Sequence, residues 1–230
     1  MIPTAPSLPE GVASTLKGYG RTLWLGYVVE PLLAYTRWRA SRSDRTVYFA
    51  YVDPNEIAYT KLFAPDQLPV TGEEAVCGSV GGPWDRLKYP FRNHYVPRTL
   101  QARFVEGVAW EETPIAEQAE YRDRPEKFER RCAKIERLVE SIERNGYRLQ
   151  SEIDPDGRSM KKRRIGSVEF SDEVTVGMDR RGRLIHLRGG RHRLAAAQLL
   201  DVEEIPVILT VYHPRASDAI PSDAERIGVE

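Results

Sequence analysis

Several common enzyme signatures are missing from this chain, and each absence narrows what it can do. Two cysteines, Cys77 and Cys132, stand 55 positions apart with no CxxC. That spacing indicates neither a disulfide framework nor a thiolate metal site, and it points to a reducing, cytoplasmic setting. Four histidines, His94, His186, His192 and His213, show no ligand spacing. No GxxxxGK[ST], GxGxxG or GxSxG element occurs, which disfavours P-loop, Rossmann and α/β-hydrolase chemistry. Long hydrophobic runs are also lacking. The most apolar stretch, Thr22 to Thr36, holds Glu30 and Pro31 and falls short of the ~20 residues that span a bilayer. It reads as a helix or helix pair packed on the body, with a membrane-surface anchor kept open by its basic flanks. The N-terminus has no basic flank followed by a clean apolar run, so no signal peptide is expected there.

Net charge is absent too, with 34 Lys and Arg against 34 Asp and Glu, which argues against a surface built entirely for nucleic acid. The balance is segregated, however. Arg158 to Arg193 holds 11 bases and 4 acids, and the remainder holds 23 bases and 30 acids. What is present is ordinary for a globular protein: 230 residues, 41% hydrophobic and 30% charged, enough to bury a real core.

Hydrophobic patterning then divides the chain. Thr46 to Val52 is β-branched and aromatic and ends at Asp53-Pro54-Asn55, a strand and its turn. Ala64 to Tyr95 carries too many Gly and Pro for a long element, and Pro97 to Phe104 reads as a helix with Leu100 and Phe104 on one face. Residues 111 to 129, with seven acids and three bases, read as solvated surface. Apolar residues at helical spacing define a helix from Lys127 to Asn145, stopped by Gly146. Gly157 to Ser167 is a basic loop, and Glu173 to Leu187 a hairpin turning at Asp179 to Gly182. A helix from Arg191 to Leu200 and a strand from Ile205 to Tyr212 follow, with a polar tail after Pro214 expected to fray. The class is α+β, a small mixed sheet flanked by helices. Its expected parts are an N-terminal helical segment over 1–45, a domain over 46–215 and a tail over 216–230.

Chemistry concentrates at Leu187-Arg188-Gly189-Gly190-Arg191-His192-Arg193. Two glycines between a strand end and a helix start allow a sharp turn and a close ligand approach. The first N–H groups of the helix have no intrahelical partner, and the helix dipole is positive there. Arg188, Arg191, Arg193 and His192 can add charge-assisted hydrogen bonds to a phosphate. The bland alternative is a tight turn with solvated arginines.

Gly189-Gly190-Arg191-His192-Arg193-Leu194-Ala195-Ala196-Ala197, followed by Ile205-Pro206-Val207, resembles the signature of the ParB/sulfiredoxin-like superfamily. Asp53-Pro54-Asn55 after the first strand, and Leu138 to Ile142 with Asn145-Gly146, resemble its upstream elements. The resemblance covers residues 46 to 213, interrupted by an insertion of about 60–125. It implies a turn that binds nucleotide phosphates (ATP, ADP or CTP), with Mg²⁺ shared between phosphates and a carboxylate. The sulfiredoxin catalytic cysteine is matched by Arg191, so sulfinic-acid reduction is set aside. No helix-turn-helix reader is expected after His213. A kinase-like branch implies a glutamate base, for which Glu56 is the positional candidate.

Two functions follow as expectations. One is nucleotide binding with hydrolase or phosphotransferase activity. The other is a non-catalytic DNA-associated module that tracks phosphates with Lys161 to Arg164 and the arginine-rich hairpin. His186 reads as half-exposed strand structure, and Trp84 as either a packing anchor or part of a ligand platform. Arg98 and Arg103 are candidates to face one pocket.

Overall fold

The computed structural model describes residues 46–61, 77–153, 162–165, 168–171 and 173–228. The N-terminal segment over 1–45, with its helix-or-anchor reading, lies outside the described residues. Thr46–Val52 forms β1 and stops at Asp53, whose side chain accepts from the Asn55 N–H at 2.7 Å and starts a 3-10 turn over Pro54–Glu56. Tyr59–Lys61 (β2), Gly78–Ser79 (β3) and Lys88–Pro90 (β4) are short, as the density of Gly and Pro requires.

His94 caps Tyr95–Leu100 (α1) by accepting from the Val96 N–H. The helix then widens into a π-helical turn over Gln101–Val105. That widening breaks the expected phase: Leu100 is buried, whereas Phe104 turns outward to 36% exposure. The acids between residues 111 and 129 are exposed as expected, but Thr113, Ile115 and Tyr121 in the same stretch are buried.

Pro125–Asn145 (α2) buries Cys132, Ile135, Val139 and Ile142 at 3.6-residue spacing and ends at Gly146, whose φ of 73° suits only glycine well. Gln150–Ile153 (α3) is a single turn. The basic loop differs from expectation. Lys162–Ile165 (β5) and Val168–Ser171 (β6) pair antiparallel, with Ile165 opposite Val168 and Arg163 opposite Phe170 in register.

Val174–Met178 (β7) and Leu184–Arg188 (β8) form the expected hairpin; Arg191–Leu199 (α4) and Ile205–Tyr212 (β9) follow. The polar tail does not fray throughout. Glu225–Gly228 (β10) pairs antiparallel with β1 and covers what would be an open edge.

The architecture is mixed α and β. The main sheet runs β10-β1-β9-β7-β8-β2-β4, with β3 beside the end of β9. β9 is buried at every position. Val207 and Leu209 face the core shared with α1, α2 and α4, while Ile208 meets Val47 and Cys77 on the other side. Among the described residues no helix is long and apolar enough to cross a membrane.

Strand direction positions the site. β1 is antiparallel to β9, β9 parallel to β7, and β7 antiparallel to β8, so β1 and β8 end at the same edge of the sheet. α4 runs along that edge from the end of β8 to the start of β9, and thereby passes from Gly190 at one end to the Pro54–Glu56 turn at the other.

Candidate functional site

Gly190 is the N-cap of α4, in the left-handed region at φ 53°, with no side chain capping the helix. A Cβ there would lie 2.6 Å from Cγ2 of Val174, so the close fit of this turn on β7 requires glycine. The Leu194 N–H donates to the Gly190 carbonyl at 2.7 Å and opens the helix, leaving the preceding amides without a capping side chain.

His186 sits beneath the turn with no solvent exposure, which corrects the half-exposed placement expected from strand alternation. The sheet is covered on both faces at this point, so a period of two does not separate inside from outside. Its Nε2 is 2.8 Å from the Gly189 carbonyl oxygen, and since a carbonyl only accepts, His186 carries its proton on Nε2. Its Nδ1 faces the Thr60 hydroxyl at 3.3 Å. Burial, with help from the Arg191 charge, pushes its pKa down to about 3, so the ring is neutral. In a trans peptide the C=O and the following N–H point in opposite directions. The bond from His186 therefore directs the Gly190 N–H away from the core.

Side chains between residues 89 and 95 lie near the start of α4. Tyr89, His94 and Tyr95 lie within the electrostatic reach of Arg191, and His94 packs on Tyr95 with ring centroids 4.5 Å apart. Burial, followed by the Arg191 charge, lowers His94 to about 4. Burial, followed by Arg131 and Arg191, lowers His192 to about 4. The Arg191 Nε and the His192 Nε2 are both sealed from solvent and have no hydrogen-bond partner. Unpaired buried polar atoms beside an uncapped helix start are costly unless a partner reaches them.

Arg193 faces elsewhere. Its Nη1 lies 2.8 Å from Glu173 Oε2, its Nη2 donates to the Arg148 carbonyl, and its guanidinium lies 4.2 Å from the Tyr147 ring centroid. Buried and fully engaged, it ties α4 to β7 and to the connection after α2. Arg188 ends β8, opposite Thr175.

Glu56 is exposed at the far end of α4. Gln198 donates to the Pro54 carbonyl at 2.8 Å, and Gln198 is seven residues beyond Arg191, about 10 Å along the helix. Glu56 is thus on the same sheet edge as the turn but one helix length away. Its neighbours Asn55 and Ile57 line a cavity of about 390 Å³. A second cavity of about 480 Å³, between α1 and α4, shares Arg92 and Gln198 with it and includes Arg98. Arg103 does not join Arg98 there; it pairs with Glu136 at 3.3 Å. Trp84 is a packing anchor: it donates to the Val80 carbonyl at 2.8 Å and lies against Gly177.

Among the described residues no group of three or more His, Cys, Asp or Glu is arranged to hold a metal. The carboxylates in reach of the α4 start, Glu173 and Glu120, are ion-paired with Arg193 and Lys127. These residues do not fit a carboxylate-held Mg²⁺.

Tyr89, His94, Tyr95 and Arg131 escape a reading from sequence, since they lie 58 to 100 positions before Gly189. No family model matches this chain, and neither a curated protein nor a solved structure matches it.

Proposed function

We propose that this is a ParB/sulfiredoxin-like domain whose Gly189–Gly190 turn binds the phosphate of a nucleotide. The observation that carries the reading is the His186 bond to the Gly189 carbonyl, which aims the Gly190 N–H outward at the uncapped start of α4. The Arg191 Nε–H and the His192 Nε2, both buried without a hydrogen-bond partner, belong to the first turn of the same helix. The order of strand, helix, hairpin, helix and strand supports the same family reading. Calorimetric titration with ADP, ATP and CTP, repeated on Arg191→Ala, tests it. Binding by the wild type that Arg191→Ala abolishes is expected; no binding of any nucleotide by the wild type overturns it.

Hydrolase or phosphotransferase activity is the extension of this reading, with Glu56 as base beside the cavity at the far end of α4. Release of inorganic phosphate that Glu56→Gln abolishes, with nucleotide affinity unchanged, is the expected result. Unchanged turnover in that variant removes Glu56 from the chemistry.

A DNA-associated role is the second reading, favoured by the β5–β6 pair, a two-stranded ribbon whose first strand carries Lys162, Arg163 and Arg164. A gel shift with short duplex DNA at two salt concentrations tests it, because phosphate tracking weakens steeply with salt. No shift at low salt ends this reading.

A further inference from the structure

The two cavities beside the second half of α4 share Arg92 and Gln198 and so form one cleft. Ala195, in its wall, is four residues past Arg191, so the cleft follows the same face of α4 away from the Gly189–Gly190 turn. Volumes of about 480 and 390 Å³ are those of small-molecule sites, which commonly hold about 300–1,000 Å³. The walls are largely apolar, with Ile57, Pro90 and Phe91 in one part and Pro97, Ala102 and Leu199 in the other.

An irregular backbone shapes the second part. The π-helical turn over Gln101–Val105 closes with the Glu106 N–H donating to the Gln101 carbonyl at 3.2 Å. A regular α-helix would set these two residues about 140° apart around its axis, whereas here both line the cleft beside Ala102. Turns of this kind occur frequently at functional sites.

Few polar groups enter the cleft. Gln198 Nε2 donates to the Pro54 carbonyl at 2.8 Å and to the Ile57 carbonyl at 3.4 Å, which fixes that amide in the wall. Arg92 and Arg98 are exposed, and neither side chain has a hydrogen bond or ion pair among the described residues. Glu106 lines the same cavity and pairs with neither. Two guanidiniums against one carboxylate leave the lining with one net positive charge. The last turn of α4, the negative end of its dipole, disfavours a multiply charged anion here.

We propose that this cleft binds an organic monocarboxylate with an apolar body: Arg92 and Arg98 hold the carboxylate, and the apolar walls take the rest of the molecule. The site is separate from the phosphate turn and does not rest on it, so either can fail alone.

Calorimetric titration of the full chain with phenylbutyrate, phenylbutanol and phenylbutylamine tests this, since the apolar body stays constant while the head group changes. The carboxylate is expected to bind about tenfold or more tightly than the alcohol or the amine, the weight of one charge-assisted hydrogen bond. Arg92→Gln and Arg98→Gln should each weaken it by a similar factor, Arg98→Lys should keep part of the affinity, and Ala102→Leu should exclude the ligand by filling the cleft. Melting temperatures without ligand separate a binding defect from a folding one; should Ala102→Leu not fold, the exposed arginines carry the test. No binding of phenylbutyrate by the wild type, equal binding of the alcohol, or an affinity unchanged in both Gln variants overturns the inference. Arg191→Ala should leave carboxylate binding intact, and inorganic phosphate should not displace it. Loss in that variant, or displacement by phosphate, would put the carboxylate at the turn and overturn its assignment to the cleft.

Discussion

His186 Nε2 lies 2.8 Å from the carbonyl oxygen of Gly189, and this bond joins the buried sheet to the orientation of the turn above it. His186→Ala leaves the Gly189 carbonyl without its donor and opens a void in a site with no solvent exposure. The unsatisfied carbonyl alone is expected to cost about 1–3 kcal/mol. Urea unfolding measures that loss. Anion affinity should fall in the same variant although His186 touches no ligand, and retained affinity would show that the turn holds its shape without the bond.

Gly190→Ala is the local test of the turn. The left-handed conformation at φ 53° costs a non-glycine residue about 1–2 kcal/mol, and the added Cβ would meet Val174 Cγ2 at 2.6 Å. A drop in melting temperature together with lost anion binding is expected. A wild-type melting curve would contradict the assigned backbone.

Arg193 and Glu173 form a pair in which each side chain is 6% exposed. Burial raises the Glu173 pKa even though Arg193 opposes it. Removing one partner strands the other, so Arg193→Ala should destabilise by about 3–5 kcal/mol. Joint replacement by Met and Leu should restore most of that stability, because desolvating the pair offsets much of its attraction. Chemical denaturation of the single and double variants distinguishes this structural role from a direct one in anion binding.

The pH dependence follows from three neutral histidines. His186 at about 3, and His94 and His192 at about 4, all lie below the ordinary value of about 6.5. The unfolded chain therefore binds more protons than the folded one between these limits. Their contribution to stability is complete above about pH 6.5 and is lost as pH falls toward 4 and then 3. For fully buried His186 the slope reaches about 1.4 kcal/mol per pH unit. Asp179, held at about 2 by its hydrogen bonds to Lys88, Arg181 and Arg183, stays ionised throughout this window. Unfolding free energies measured at pH 7.5, 6 and 5 should decline, and a flat profile would place these rings in water.

Local pattern alone determined much of this protein. β1 and β9 occupy the residues their β-branched runs indicate, and α2 and the β7–β8 hairpin follow from apolar spacing and turn chemistry, because these elements depend on neighbours within a few positions. The turn at Gly189–Gly190 was legible for the same reason. Tertiary structure decided which of its side chains face the turn. Arg193 belongs to the same run as Arg191 yet pairs inward with Glu173, since successive helix positions point about 100° apart. It also decided that Glu56 stands one helix length from the turn. Contacts of this kind join residues 20 to 144 positions apart. They depend on which faces of α2 and α4 meet, and hydrophobic periodicity states that a face is buried without naming what lies across from it.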